Sequence, residues 1–437
     1  MFRCRVIKLG GSIVLIEQRE RLRGEIKVPG DKSISQRAVL LGALAKGTTE
    51  IDNFLLGEDC ISTIDCFRKM QIAIEILPDN KIKVQGKGLY GLKAPAAPLN
   101  TGKSGTAIRL LLGVLSGQPF TSTVVRDEAS MKKPVGKVVN HLRQMGASIT
   151  GRDDGNLCPL SVSQSKLHGV AFELSPNDAL IKSPLIIAGL YAEGGTSVTE
   201  AIKSRDHTEL MLNSFGADIG ISGLKVTSRM VENLYAQHIT IPGDISIASY
   251  YITAGLLVPN SEIVIRGVGI NPTRTGILDV YERMGAKIEI LGERLVNNER
   301  IADIRVLSSP LGAVKITDGQ IPRLLDELPV IMVAAAFAKG TTEILGLSGN
   351  KIKESNKIRS LSLELSKMGA RIHELGDGIS IEGGKPLKGT VVESYNNSSI
   401  AMALSVAGVA SEGETMIRKS QVVDTAFPGY FQLLNRL

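Results

Sequence analysis

Six stretches of this chain share one pattern: a polar turn, an almost wholly apolar helix, then small residues leading into a β-branched strand. They begin at Gly30 (GDKSISQRAVLLGALAKGTTEI), Gly102 (GKSGTAIRLLLGVLSGQPFTST), Asn177 (NDALIKSPLIIAGLYAEGGTSV), Gly243 (GDISIASYYITAGLLVPNSEIVI), Asp326 (DELPVIMVAAAFAKGTTEI) and Asn396 (NNSSIAMALSVAGVASEGETMI). Their spacing of roughly 65 to 85 residues marks a tandem supersecondary unit, longer than an ordinary solenoid repeat. Most copies close on a second helix with a Met-Gly or Phe-Gly stop, as in LRQMGASI, LNSFGADI, YERMGAKIEI and LSKMGARI. Glycine there suits a left-handed C-cap before the next strand. The chain therefore reads as α/β, with six β-α-β-α units carrying additional strands.

A helix apolar on every face must be buried, with sheets outside it, so its polar first turn has to surface at one end. Three such helices side by side would present three positive dipole ends on one face, a setting for anions. At 437 residues the chain is long enough for two cores, three units to each. The turns VPGD and IPGD put Pro29 and Pro242 at matching places in two copies, which suggests the crossings between domains. The expected domains are 30–240, and 1–29 together with 241–437.

Composition narrows the partners. Net charge is +7, but the basic residues are scattered and aromatics make up only 4%, so the chain lacks the interleaved stacking surface of a nucleic-acid binder. A small acidic substrate fits better. No apolar run reaches the ~18 residues of a membrane span, and the first residues lack the apolar stretch of a secretory signal, so the expectation is a cytoplasmic protein without membrane contact. Cys4, Cys60, Cys66 and Cys158 show neither CxxC pairing nor His partners at metal spacing, so buried thiols are expected and no metal or organic cofactor is signalled.

The stretches VPGDKSISQRAVLLGALAKGTTEIDNFLLGEDC, PGDISIASYYITAGLLVPNSEI, GVGINPTRTGILDVYERMGA, SRDHTELML, IPRLLDELPV and KIKESNKI together resemble the enolpyruvylshikimate-phosphate (EPSP) synthase family, over about Leu22 to Tyr430. Those enzymes transfer the carboxyvinyl group of phosphoenolpyruvate to the 5-hydroxyl of shikimate 3-phosphate. The resemblance implies the two-domain enolpyruvyl transferase fold, with the active site in the cleft between domains, and a chain able to act as a monomer.

The resemblance also implies roles for individual residues. Ser33 and Arg37 would hold the ring carboxylate, which suits a helix start with an arginine one turn on. Lys32 would reach the reacting oxygen, Asp326 the ring hydroxyls, Lys353 the ring and reacting groups, and Glu354 would move a proton. Ser204 and Arg205 persist in SRDHTE, with His207 beside them read either as a ring or phosphate neighbour or equally as a helix-start residue. The second copy of the opening turn needs only the turn itself, so Lys32 gives way to Ile245.

Other positions depart from the family. Of three arginines that grip phosphoenolpyruvate in forked geometry, two are replaced by Lys133 and Lys357, and the third, in an Asp-His-Arg triplet, by Ser399 after Asn397 and Ser398. Lys103 stands for an asparagine, and TGKS is not a phosphate loop, because Ala97 replaces the upstream glycine. The phosphate-binding Ser-Ala-Gln reads Asp178, Ala179, Leu180. A carboxylate ~4 Å from a phosphate dianion would cost several kcal/mol. These departures lead to the expectation of a phosphoenolpyruvate-independent dehydration of an unphosphorylated shikimate-like acid. The alternatives are the 3-phosphoshikimate 1-carboxyvinyltransferase reaction itself and a non-catalytic small-acid binder.

Overall fold

The structure is a computed structural model that describes residues 6–8, 12–347 and 352–437, except for the side chains of 177 and 352–355. Its six sheets repeat one topology. In three of them, within 99–163, 171–228 and 315–382, an edge strand leads into an apolar helix and then into a parallel neighbour, after which a surface helix precedes a pair of strands that completes the sheet; the other three draw part of the sheet from elsewhere in the chain. The strand Leu99–Asn100, helix Gly105–Leu115 and strand Ser122–Val125 form one such crossover. The helix Gly136–Gln144 and the strands Ser148–Gly151 and Leu157–Ser163 finish that module. A β-α-β crossover of this length is the ordinary way to join parallel strands.

Two modules exchange their first strands. Arg23–Lys27 precedes the helix Lys32–Leu44 in sequence yet pairs with Glu262–Gly269, while His238–Thr240 precedes the helix Ile245–Leu257 yet pairs with Ala45–Asp52. The sixth sheet is closed by the beginning of the chain: Ile13–Glu17 pairs antiparallel with Glu414–Arg418. Two compact units result. The first is Gly30–Ile241 with Val296–Glu299, and the second is the chain up to Pro29 with Pro242–Leu295 and Arg300–Leu437.

The exchange explains the paired Pro-Gly turns. A Cβ on Gly30 would lie 1.9 Å from the Asn53 carbonyl oxygen, and one on Gly243 would lie 2.8 Å from the Val28 Cγ2. Where backbones pass this closely, only glycine fits. The amide of Asp244 donates to the Pro29 carbonyl at 2.9 Å, and that of Ile241 to the Asp52 carbonyl at 3.0 Å.

The apolar helices form the cores. In Leu328–Phe337 every residue but the last is buried, and in Ile245–Leu257 only Ser246 and Leu257 are not. In the second unit these two and Ser398–Ala410 pack pairwise against one another. Each large aliphatic side chain so buried contributes ~1.5–3 kcal/mol, which holds the polar helix starts in place. No helix among the described residues is long and apolar enough to cross a membrane.

Candidate active site

In the first unit, the start of the helix Lys32–Leu44, which carries Lys32, Ser33 and Arg37, is tied by hydrogen bonds to the starts of neighbouring helices. Asp31 caps Lys32–Leu44 by accepting from the Ile34 amide at 2.9 Å, and the Lys32 ammonium lies 3.2 Å from the Asp59 carboxylate. Gln36 joins this helix to the next module, since its amide donates at 3.0 Å to both the Asp59 carbonyl and the Ser104 hydroxyl. Ser104 in turn caps Gly105–Leu115.

Arg37 is buried and oriented on three sides. Its Nε donates to Thr208 Oγ1 at 2.7 Å, one terminal nitrogen to the Ser33 carbonyl at 3.0 Å, and the other to Ser183 Oγ at 3.1 Å. Burial, opposed by Glu209 and Asp31, lowers its pKa to about 10. A guanidinium has five N–H donors, so two remain for a carboxylate. Ser33 takes part here through its backbone carbonyl.

Ser204 is positioned by residues that sequence reasoning passed over. Its hydroxyl and its amide both donate to the Glu200 carboxylate, which also accepts from the Lys182 ammonium at 2.8 Å. Lys182 lies a further 2.8 Å from Glu209 and is itself only 1% exposed. A lysine inside an apolar-looking helix carried no sequence signal of two acids awaiting it. Arg205 lies in the same turn, beside the Lys203–Asp206 ion pair of 3.0 Å. His207 is buried, its Nδ1 2.7 Å from Glu299, which places it in the interior.

The altered positions also find partners. Lys103 pairs with Glu58 at 3.4 Å on the surface, and Lys133 donates to Ser130 Oγ at 2.7 Å. Asp178 accepts from the Lys137 ammonium at 2.5 Å and the Ser175 hydroxyl at 2.6 Å. Burial alone would raise its pKa, but these hydrogen bonds and the Lys137 charge outweigh it and hold the carboxyl below its usual value.

In the second unit, Asp326 and Glu327 precede the helix Leu328–Phe337, and the Lys357 ammonium donates to the neighbouring Leu325 carbonyl at 3.4 Å. Glu327 accepts from the Ser246 hydroxyl, which accepts from Arg274 at 2.7 Å. The Ser399 carbonyl accepts from the Tyr250 hydroxyl at 3.4 Å, and Asn397 caps Ser398–Ala410 through the Ile400 amide. Ile245, the counterpart of Lys32, is 2% exposed, so an ammonium there would be buried. Lys353 and Glu354 lie in the first turn of Ile352–Lys367, but their side chains fall outside the described residues. Among the described residues no group of three His, Cys, Asp or Glu side chains is placed to hold a metal ion.

Six modules of buried helix under mixed sheets, split into two units, define an enzyme of the enolpyruvyl transferase class. The chain belongs to the EPSP synthase family, described as EPSP synthase (3-phosphoshikimate 1-carboxyvinyltransferase), whose sequence profile matches residues 16–434. It is 47% identical over 424 residues to the 3-phosphoshikimate 1-carboxyvinyltransferase of Desulforamulus reducens, covering 97% of this chain and 99% of the relative. It is 48% identical over 422 residues to that of Thermoanaerobacter pseudethanolicus, with the same coverage. The solved EPSP synthase of Acinetobacter baumannii superposes with a TM-score of 0.89 at 37% identity, covering 97% of this chain and 98% of that one.

These relatives overturn the expectation of a phosphoenolpyruvate-independent dehydratase: proteins this similar over their whole length carry the name of the carboxyvinyltransferase. The expectation leaned on the replaced arginines and on the charge of Asp178, and that carboxylate is paired with Lys137, which lessens the repulsion a phosphate would meet.

Proposed function

We propose that the protein is a 3-phosphoshikimate 1-carboxyvinyltransferase. The observation that carries this is near-full-length identity of 47–48% to proteins of that name. In this reading the 5-hydroxyl of shikimate 3-phosphate gives its proton to a base as its oxygen adds to C2 of phosphoenolpyruvate and C3 takes up a proton. The C3 methyl then gives up a proton as the C2–O bond to phosphate breaks, which releases inorganic phosphate and leaves the enol ether.

Arg37, held by Thr208, Ser183 and the Ser33 carbonyl, offers its two remaining N–H groups to the ring carboxylate. Ser204, set by Glu200, and Arg205 bind the ring substrate's polar groups. Lys32 stands at the reacting oxygen, Asp326 at the ring hydroxyls, Lys353 at the ring, and Glu354 moves the proton. Lys133 and Lys357 supply charge to phosphoenolpyruvate without an arginine's fork, which predicts weaker ground-state capture of that substrate.

The test is phosphate release from purified protein given both substrates, with the ketal-free enol ether product identified by mass spectrometry. Release that requires both substrates and matches product one to one is expected. Phosphoenolpyruvate left intact in the presence of shikimate 3-phosphate would overturn the reading.

A further inference from the structure

Two arginines in the first unit, Arg126 buried and Arg109 half-buried, have no acid of their own. Arg126 follows the strand Ser122–Val125 and is 6% exposed. One terminal nitrogen donates to the Lys103 carbonyl at 3.2 Å, immediately before the cap of Gly105–Leu115, while its buried Nε has no partner. Arg109 lies one turn into that helix and donates to the Gly105 carbonyl at 2.7 Å. Burial lowers the pKa of both, and for Arg109 the Arg126 charge adds to the effect.

The nearest acids are already engaged. Asp59 holds Lys32 at 3.2 Å, and Asp127 accepts from the Asn100 amide at 3.1 Å. Cys158, the other ionisable group near Arg126, has its thiol pushed up by burial and stays neutral. A buried charge left unpaired is costly, and proteins pair it or bind a counter-ion. The same place holds the free N–H groups of a helix start, where only the Ala107 amide is taken by Ser104.

We propose that Arg126, at the start of Gly105–Leu115 and beside Arg109, is an anion-binding residue for a phosphate or carboxylate group. This rests on the transferase reading for the identity of the ligand, which is then phosphoenolpyruvate. Arg126 restores one forked donor in a chain that has lysine or serine where the family places three arginines.

The test is steady-state kinetics of Arg126→Gln and Arg126→Lys with each substrate varied in turn. A hydrogen bond to a charged group predicts a rise of about 10- to 100-fold in KM for phosphoenolpyruvate in R126Q. KM for shikimate 3-phosphate should stay within about 2-fold, and R126K should fall between wild type and R126Q. A rise confined to shikimate 3-phosphate would keep the anion site and reassign its ligand. Unchanged constants for both substrates would overturn the site.

If the wild-type protein shows no turnover, the transferase reading fails and the site is judged by melting temperature in inorganic phosphate against chloride at equal ionic strength. Phosphate should stabilise wild type more than R126Q, and equal stabilisation sinks the proposal. If R126Q does not fold, R126K decides through the same two measurements: unchanged KM values, or wild-type stabilisation by phosphate where turnover is absent, would overturn the forked site.

Discussion

The Lys137 ammonium lies 2.5 Å from the Asp178 carboxylate, across 41 residues of sequence, and so neutralises the one acid placed where a phosphate-binding serine is expected. Lys137→Met should therefore expose that charge and raise KM for shikimate 3-phosphate by about 5- to 20-fold, with turnover at saturation little changed. The double variant with Asp178→Ser should restore it. Unaltered KM in K137M would show that Asp178 does not face the phosphate.

The same pair has a pH signature. The folded-state pKa of Asp178 is lowered, so its contribution to stability is present above its unfolded value near 3.8 and is lost as pH falls through the folded value. Because Lys137 is largely exposed, the difference between wild type and K137M in urea melts should stay below ~1 kcal/mol at pH 7 and vanish in acid.

Lys182 should behave quite differently. It is held between Glu200 and Glu209, each at 2.8 Å, with all three buried. Burial alone would lower the lysine's pKa, but the two carboxylates raise it above its usual value. That contribution is present below the unfolded pKa and is lost only as strongly alkaline pH passes the folded one. Lys182→Met leaves two carboxylates without their cation and should cost about 3–5 kcal/mol in urea unfolding. A loss under ~1 kcal/mol would mean that water reaches the acids.

The exchanged strands give a steric prediction. Gly30→Ala drives a methyl group into backbone oxygen at 1.9 Å and should destabilise by more than ~3 kcal/mol, whereas Gly243→Ala meets first a valine methyl at 2.8 Å, which can turn aside. Thermal melts of the two variants should rank in that order. Equal stabilities would show that the Gly30 turn relaxes freely.

Cys66 provides a probe of opening. Its thiol is buried and its pKa pushed up to about 12. At pH 8 only ~1 thiol in 10,000 would be ionised in the folded protein, against roughly a quarter in the unfolded chain. Aromatic disulfide reagents should therefore label Cys66 at the rate of unfolding, as judged by peptide mapping over time. Rapid labelling under native conditions would overturn this.

The modular part of the fold was legible in the sequence because it is local. A helix buried on every face shows as an uninterrupted apolar run, and a C-cap glycine closes the second helix within the same few dozen residues. The start of the chain was not legible as part of the sixth sheet: Ile13–Glu17 pairs with Glu414–Arg418 across nearly the whole sequence. Short strands of that kind carry no mark of their partner.

The site divides along the same line. Lys32, Arg37 and Asp326 stand in short motifs whose resemblance to a family is visible within a few residues. The surroundings of Asp178, Lys182 and Arg126 are not visible in that way, because they are assembled from distant parts of the chain. By itself the sequence determined six modules, the helix starts they present and the replacement of a family's arginines, since each is a matter of residue type within a short span. Only the tertiary structure decided which charges are neutralised, by Lys137, Glu200 and Glu209, and which stay unpaired, as at Arg126. Coulomb energy depends on distance in space and on exclusion of water, and neither is written along the chain.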